Sequence, residues 1–249
     1  GFNSVCIRIM DMSLSDLHPP AFPKESTLKP RVLGELESKD STLQGFTWHT
    51  FLLEGAALIG TPEAMDNAYG RSSLYRIQEL VIRPYLRGGA LRFFNKDCYT
   101  SPKRFRNEWL IHSALYRAGF PTTKPMGYGY RSVGMGLYKG LYFSERAQAV
   151  PWPSNWILDK DEINALVKSL LTLCKWGIWS PDLNATNILK DPSLGILFMD
   201  WDLARVSTLK PQYLLDRYKN RLLRSLEKLE APSEIRSIIN NISWTDPHD

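Results

Sequence analysis

Three oxygen-bearing side chains in the second half of the chain are spaced for phosphoryl transfer. Asp182 and Asn187 lie on one short segment with four residues between them, and Asp200 follows the apolar run 195–199. Phosphoryl transfer needs a carboxylate that orients the attacking hydroxyl and oxygen ligands that hold Mg²⁺ against the phosphates. The spacing therefore predicts Asp182 as the catalytic carboxylate, and Asn187 and Asp200 as metal ligands.

The residues around these side chains predict a β-hairpin. Residues 188–189 and 195–199 form two short apolar runs, joined by a turn that contains proline and glycine. Because a hairpin brings its two free ends together, Asn187 and Asp200 should lie side by side. Any one of the three side chains alone would more often serve a turn or a helix cap. Their combined spacing favours a catalytic loop.

A cation that bridges nucleotide phosphates, and an acid that orients it, are predicted in the first half of the chain. Arg83 lies in the apolar run 80–85, and Glu108 falls on the apolar face of a helix predicted over residues 102–118. A carboxylate on such a face is costly unless it is paired. We therefore expect Arg83 to bind Glu108, with Arg76 as the alternative cation. If these residues do not bind a nucleotide, Arg83 is expected to be a solvated strand residue, and Glu108 is expected to form a structural ion pair on the helix face.

A candidate phosphate-binding turn lies between two of the predicted strands. The segment reads Gly70-Arg71-Ser72-Ser73, and its backbone N–H groups could face a phosphate, which makes Gly70, Arg71 and Ser72 candidate nucleotide contacts. The segment holds a single glycine, so an ordinary turn explains it as well.

The composition describes a folded, basic chain. Its 249 residues can bury a core as one domain or as two lobes, and 43% hydrophobic with 23% charged residues excludes disorder of the whole chain. The net charge of +5 favours an anionic partner, such as a nucleotide, a nucleic acid, an acidic glycolipid or a membrane surface. The three cysteines lie far apart, which disfavours a disulfide framework or a zinc site. No run approaches the roughly 18 apolar residues of a membrane span.

Residues 83–106 combine basic and aromatic side chains. This composition favours either a surface for an anionic, partly apolar substrate or an ordinary solvated face. Nucleic acid is not an expected partner, because no helix-turn-helix, zinc-finger or RNP pattern accompanies the run. The run contains a single acid, Asp97, and the following basic and aromatic residues: Arg83, Arg87, Arg92, Lys96, Lys103, Arg104, Arg106, Tyr85, Phe93, Phe94, Tyr99 and Phe105.

The segment 213–229 predicts an amphipathic helix. Its apolar residues Leu215, Tyr218, Leu222 and Leu229 recur at helical spacing, and its basic residues lie elsewhere. Docking of the apolar stripe on a hydrophobic core is the favoured interpretation, and binding to a membrane surface is the alternative.

The order of the predicted elements favours an α+β fold with two lobes. Residues 1–45, rich in proline and polar groups, are expected to be an irregular lead-in. Residues 46–146 are expected to form a small antiparallel-sheet lobe with one main helix, and residues 147–249 a compact, mostly helical lobe.

Three segments of the chain resemble motifs of the bacterial lipopolysaccharide kinases, most closely the 3-deoxy-D-manno-octulosonic acid (Kdo) kinases. Residues 82–89, IRPYLRGG, resemble the family's L-R-H-Y-R-R-G-G. Residues 179–189, WSPDLNATNIL, resemble W-H-A-D-L-N-A-H-N-I-L, and residues 199–205, MDWDLAR, resemble I-D-F-D-R-A-R. Residues 224–229 fit the family's closing helix. Ser180 departs from the family motif, which has His at this position. Asn184 agrees with the family and stands where protein kinases have Lys, which disfavours a protein substrate.

The resemblance implies a two-lobed protein-kinase-like fold that transfers the γ-phosphate of ATP, with Mg²⁺, to a sugar hydroxyl of Kdo-lipid A in the lipopolysaccharide inner core. It places Arg83 where protein kinases use lysine, and makes residues 144–147, with Glu145 and Ala147, the hinge that faces adenine. It also implies a peripheral position on the anionic cytoplasmic face of the bacterial inner membrane. A protein Ser/Thr kinase, a heptose kinase and a pseudokinase that binds nucleotide or lipid without transfer are the alternatives.

Overall fold

The computed structural model describes residues 18–23, 28–33, 43, 48–56, 58–65, 74–86 and 97–244. Its first part is a seven-stranded antiparallel sheet in the order β1-β2-β6-β7-β5-β4-β3. The strands are β1 (Leu28–Leu33), β2 (Trp48–Leu53), β3 (Glu63–Met65), β4 (Leu74–Ile77), β5 (Leu80–Pro84), β6 (Pro125–Gly134) and β7 (Leu137–Glu145). The helix α1 (Lys103–Arg117) packs against β6 and β7.

The second part is mostly helical. Its helices are α2 (Lys160–Lys175), α3 (Pro211–Lys228) and α4 (Ser233–Asn240), and its short strands are β8 (Val150–Pro151), β9 (Ile178–Trp179), β10 (Ile188–Asp191), β11 (Gly195–Phe198) and β12 (Arg205–Val206). Asp159 begins α2 with a capping box, in which its side chain accepts from the Glu162 N–H and Glu162 accepts from the Asp159 N–H. The predicted α+β class and two-lobed layout are confirmed, and the domain boundaries stay a prediction.

The apolar side chains separate into clusters on the two faces of the sheet and around the helices. On β7, Leu141 and Phe143 pack with the cluster on one face, whereas Tyr142 packs with α1 on the other. Gly140 allows α1 to approach β7 closely, because a Cβ at position 140 would lie 2.3 Å from Phe105 of α1. Farther along α1, Ile111 and Leu115 enter the cluster of the helical part. The helix α1 is therefore shared by both parts of the molecule.

The expectation of an irregular segment over residues 1–45 is wrong for Leu28–Leu33, which form β1 and pair with β2. The reason is the position of this strand in the sheet. The strand β1 lies at the edge of the sheet, and an edge strand tolerates the missing N–H of Pro30, whereas a central strand would not. The helix α4 was also not anticipated; it begins after Pro232 and buries Ile235 and Ile239.

The apolar stripe of α3 docks on the core, as the favoured interpretation predicted. Leu215, Tyr218 and Leu222 are fully buried in the helical cluster, together with Leu214 and Leu226.

In the part of the chain that the structure describes, no helix has both the length and the hydrophobicity that a bilayer-crossing segment requires.

Candidate active site

The segment around Asp182 forms a tight loop, residues 180–187, between β9 and β10. The Nδ2 atoms of Asn184 and Asn187 both donate to the Asp182 carbonyl, at 2.9 Å and 2.8 Å. Asn184 also accepts from the Thr186 N–H at 2.9 Å, which starts a single 3₁₀ turn over Ala185–Asn187. Because the Asn187 nitrogen is engaged in this way, its oxygen remains the atom that could ligate a cation.

The predicted hairpin is confirmed and brings Asn187 next to the segment that carries Asp200. Strands β10 and β11 pair from Ile188 with Phe198 onward, and the Met199 N–H donates to the Asn187 carbonyl at 2.9 Å. Asp200 then adopts a left-handed backbone with φ +65°, which only a few per cent of non-glycine residues do. Such a backbone is strained, and strain of this kind clusters at functional sites.

The Asp200 carboxylate has the properties of a cation ligand. Its Oδ1 atom is buried and has no hydrogen-bond partner among the described residues; the Arg83 guanidinium lies 3.5 Å away. Mg²⁺ is held in proteins by one or two carboxylates, with water and substrate phosphates completing its octahedron. Asp200 and Asn187 fit that pattern. No group of three or more His, Cys, Asp and Glu side chains suited to a metal occurs among the described residues.

Arg83, rather than the alternative Arg76, binds Glu108. Arg83 Nη2 lies 2.5 Å from Glu108 Oε1, and the Tyr85 hydroxyl donates to Glu108 Oε2. The guanidinium also lies over the Tyr85 ring, 4.9 Å from its centroid. Arg76 instead pairs with Glu63 on the exposed side of the neighbouring strands, at 2.7 Å. The predicted pair therefore forms, and its nucleotide role stays a prediction.

Burial dominates the electrostatics of this pair. Burial raises the pKa of Glu108 above its ordinary range, and the adjacent Arg83 works in the opposite direction. Burial likewise works to lower the pKa of Arg83, but the charges of Glu108 and Asp200 raise it well above its ordinary value. Arg83 is therefore a permanent cation whose charge faces two carboxylates.

Asp182 and Asp202 each have an arginine partner as well, which the sequence did not reveal. Arg221 of α3 donates to Asp182 Oδ1 at 3.1 Å. Arg104 of α1 holds Asp202 with two bonds, one of them from Nε to Oδ1 at 2.7 Å. Burial raises the pKa of Asp182, the charge of Asp200 adds to this, and Arg221 opposes it.

A buried network ties the Asp200–Asp202 turn to α1 and β7. Trp201 Nε1 donates to Thr122 Oγ1 at 3.0 Å, and Thr122 Oγ1 donates to the Phe198 carbonyl at 2.7 Å. His112 of α1 lies between Tyr142 and the Thr122–Thr123 segment, with Nδ1 2.7 Å from the Tyr142 hydroxyl. Burial lowers the pKa of His112 to about 3, so the ring is neutral. This network was also not visible in the sequence.

The remaining nucleotide candidates are Glu145 and Ala147, at and just after the end of β7, and three residues outside the described part of the chain. Glu145 is exposed, its N–H donates to the Lys124 carbonyl at 2.8 Å, and Ala147 follows in an irregular segment. The hinge role of Glu145 and Ala147 stays a prediction. Gly70, Arg71 and Ser72 lie outside the described residues.

The described part of the basic and aromatic run does not form an exposed aromatic surface. Tyr85 and Tyr99 are buried against Phe105, which is a residue of α1. Arg83 and Arg104 face carboxylates inside the molecule. The expectation of a substrate surface is therefore wrong for these three aromatic residues, because their side chains pack in the core. Residues 87–96 of the run lie outside the described residues.

Comparison with known proteins agrees with the motif resemblance. No protein-family model matches the chain. A curated protein, the 3-deoxy-D-manno-octulosonic acid kinase of Xylella fastidiosa (strain M12), is 26% identical over 180 residues, which cover 68% of this chain and 72% of that protein. The chain is similar to a Kdo kinase. The resemblance to the lipopolysaccharide kinases is thereby confirmed.

Among solved structures, the chain matches those of WaaP and WbdD. A structure of WaaP in complex with acyl carrier protein has a TM-score of 0.40 and 14% identity, over 88% of this chain and 79% of that one. A structure of WbdD with the kinase inhibitor LY294002 has a TM-score of 0.45 and 15% identity, over 87% of this chain. The chain spans 54% of that WbdD chain.

Proposed function

We propose that this protein is a kinase that transfers the γ-phosphate of ATP to a sugar hydroxyl of Kdo in the lipopolysaccharide inner core. The observation that carries the proposal is the convergence on Asp200. The hairpin puts Asn187 beside it, and β5 brings Arg83 to 3.5 Å from it. A cation in contact with a carboxylate, with an amide side chain at the adjoining end of the hairpin, matches the requirements of phosphoryl transfer, in which positioning and charge stabilisation provide almost all of the catalysis.

Each residue then has a distinct role. Asp182 orients the acceptor hydroxyl and accepts its proton. Asn187 and Asp200 would hold Mg²⁺, which would neutralise charge on the phosphates. Arg83, fixed by Glu108, contacts the phosphates. The backbone N–H groups of Gly70, Arg71 and Ser72 are further candidate phosphate donors. Residues 144–147, including Glu145 and Ala147, face the adenine.

Two observations support an anionic sugar acceptor over a protein. The similar curated protein carries the name of a Kdo kinase. The position two residues after Asp182 holds Asn184, whose side chain is turned into the loop and is neutral. The net charge of +5 agrees with an acidic glycolipid and with peripheral binding to an anionic membrane.

An acceptor panel tests the proposal. Purified protein is incubated with labelled ATP and Mg²⁺ together with Kdo-lipid A, lipid A without Kdo, a heptose-containing core or a generic protein substrate, and the products are identified by mass spectrometry. We expect one added phosphate on Kdo and none on lipid A alone. Transfer to heptose or to protein would show that this molecule, and not Kdo, is the acceptor. Nucleotide binding without transfer to any acceptor would contradict kinase activity.

A further inference from the structure

One face of α3 supports the loop that carries Asp182. Tyr218, Arg221 and Ser225 lie three and then four residues apart, so their side chains share one face of the helix. We call these three residues the loop-facing side of α3. All three contact residues 178–185, about 40 positions earlier in the chain, with sequence separations of 38 to 40.

Tyr218 and Ser225 bind the backbone at the two ends of the loop. The buried Tyr218 hydroxyl accepts from the Ser180 N–H at 3.0 Å and donates to the Ile178 carbonyl at 2.7 Å. Ser225 Oγ accepts from the Ala185 N–H at 3.1 Å. Ser180 is fully buried, yet its own hydroxyl has no hydrogen-bond partner in the described part of the chain. The loop is therefore fixed from α3 and not through the Ser180 side chain.

Arg221 brings a positive charge to the Asp182 carboxylate. The loop itself, SPDLNATN, contains no basic residue. Arg221 donates to Asp182 Oδ1 at 3.1 Å from the middle of α3. Both side chains are partly exposed, at 40% and 38%, and such a pair contributes at most about 1 kcal/mol to stability. Stability alone does not explain why this cation lies at the candidate catalytic carboxylate.

We infer that the loop-facing side of α3 holds the catalytic loop in place, and that Arg221 is a positioning residue for the Asp182 carboxylate. This inference rests on the proposed function for its catalytic part. Tyr218 and Ser225 fix the backbone on either side of Asp182, and Arg221 selects the direction in which the carboxylate points. Misplacement of a reacting group by about 1 Å can cost on the order of 100-fold in rate.

The first experiment measures phosphate transfer by Arg221→Ala, Arg221→Lys and the matched control Arg224→Ala. Arg224 is an exposed arginine one turn along the same helix. We expect Arg221→Ala to lower kcat at least about tenfold, with the KM for ATP within twofold of wild type and an unchanged melting temperature. Arg221→Lys should recover part of the loss, and Arg224→Ala should behave as wild type. Equal kcat values for Arg221→Ala and Arg224→Ala would overturn the role of Arg221.

The second experiment tests the loop support without any acceptor. Amide hydrogen exchange of residues 178–187 is compared in wild type, Ser225→Ala and Tyr218→Phe, with residues 166–174 of α2 as the internal reference. Loss of the Ser225 and Tyr218 acceptors should speed exchange at Ala185 and Ser180 at least about fivefold relative to α2. Unchanged exchange in both variants would overturn the support role. Because this result does not depend on the substrate, it separates failure of this inference from failure of the proposed function.

Discussion

The Arg83 guanidinium lies 2.5 Å from the Glu108 carboxylate and also reaches Asp200, 3.5 Å away. Glu108 lies in the middle of α1, Arg83 lies on β5, and Asp200 follows β11. One cation therefore connects the sheet, the shared helix and the candidate metal ligand. Asp182 and Asp202 have arginine partners from α3 and α1, so the aspartates of the site are held by three different elements.

The buried Arg83–Glu108 pair should matter far more for stability than the exposed Arg76–Glu63 pair on the same sheet. Glu108→Ala leaves Arg83 without its closest partner, and loss of one member of a buried pair costs about 3–5 kcal/mol. Glu63→Ala is the matched control, because both side chains of its pair with Arg76 reach solvent, and should cost less than about 1 kcal/mol. Urea unfolding measures both values. Similar losses of unfolding free energy in the two variants would show that the buried pair contributes no more to stability than the exposed pair.

The buried His112 should make the protein less stable as the solution becomes acidic. Its pKa falls from an ordinary value of about 6.5 to about 3 in the folded protein, so between these values only the unfolded chain binds the proton. The free energy of unfolding should therefore fall as the pH drops below 6.5, by up to about 1.4 kcal/mol per pH unit.

Urea unfolding between pH 6.5 and pH 5 checks this effect before most carboxylates titrate. A His112→Gln variant has no titrating ring at this position, and its unfolding free energy should change less over the same interval. If the variant and the wild type lose stability in parallel, His112 is not the group responsible.

The contact between Gly140 and Phe105 should not tolerate a larger residue. A Cβ at position 140 would lie 2.3 Å from Phe105 Cε1, and overpacking of this kind costs about 1–3 kcal/mol. Gly140→Ala should therefore be destabilised, and the second change Phe105→Leu should relieve part of that loss. The double-mutant cycle is measured by thermal unfolding. Additive losses would mean that the two positions do not collide.

Asp200 should be needed for the magnesium-dependent part of nucleotide binding. Asp200→Asn keeps the shape of the side chain but removes its charge, and we expect the affinity for ATP in the presence of Mg²⁺ to fall at least about tenfold. Calorimetry with and without Mg²⁺ gives the comparison. Asp216→Asn, a change of the same kind at an exposed position of α3, serves as the control. Wild-type affinity in Asp200→Asn would remove this residue from the metal site.

Local spacing revealed the parts of the site that lie close together in the sequence. The interval from Asp182 to Asn187 and the two runs of the hairpin are local patterns, and Glu108 was conspicuous because a carboxylate interrupted an apolar helix face. Pairs between distant segments left no such signal: Arg104 and Asp202 are 98 residues apart, and Arg221 and Asp182 are 39 apart. Only the packing of α1 and α3 creates these contacts.

The edge strand β1 was missed for a related reason. Its Pro30 is a strand breaker in a central position and acceptable at an edge, and the sequence does not show which position a strand will take. The aromatic residues of the basic run led to a different error, because they suggested a ligand surface but lie in the core. Tyr85, Tyr99 and Phe105 are suitable both for a ligand surface and for a core, and in the structure Tyr85 and Tyr99 pack against Phe105 of α1.

Phosphate transfer by Asp182→Asn, compared with Asp161→Asn, tests the central claim most directly. Asp161 is an exposed carboxylate in the first turn of α2, away from the loop. With ATP, Mg²⁺ and Kdo-lipid A, the Asp182 variant should lose at least about 100-fold in kcat while still binding ATP, because a positioned base contributes roughly that much. The Asp161 variant should match wild type. Transfer by Asp182→Asn within a few-fold of wild type would contradict the catalytic role of this carboxylate.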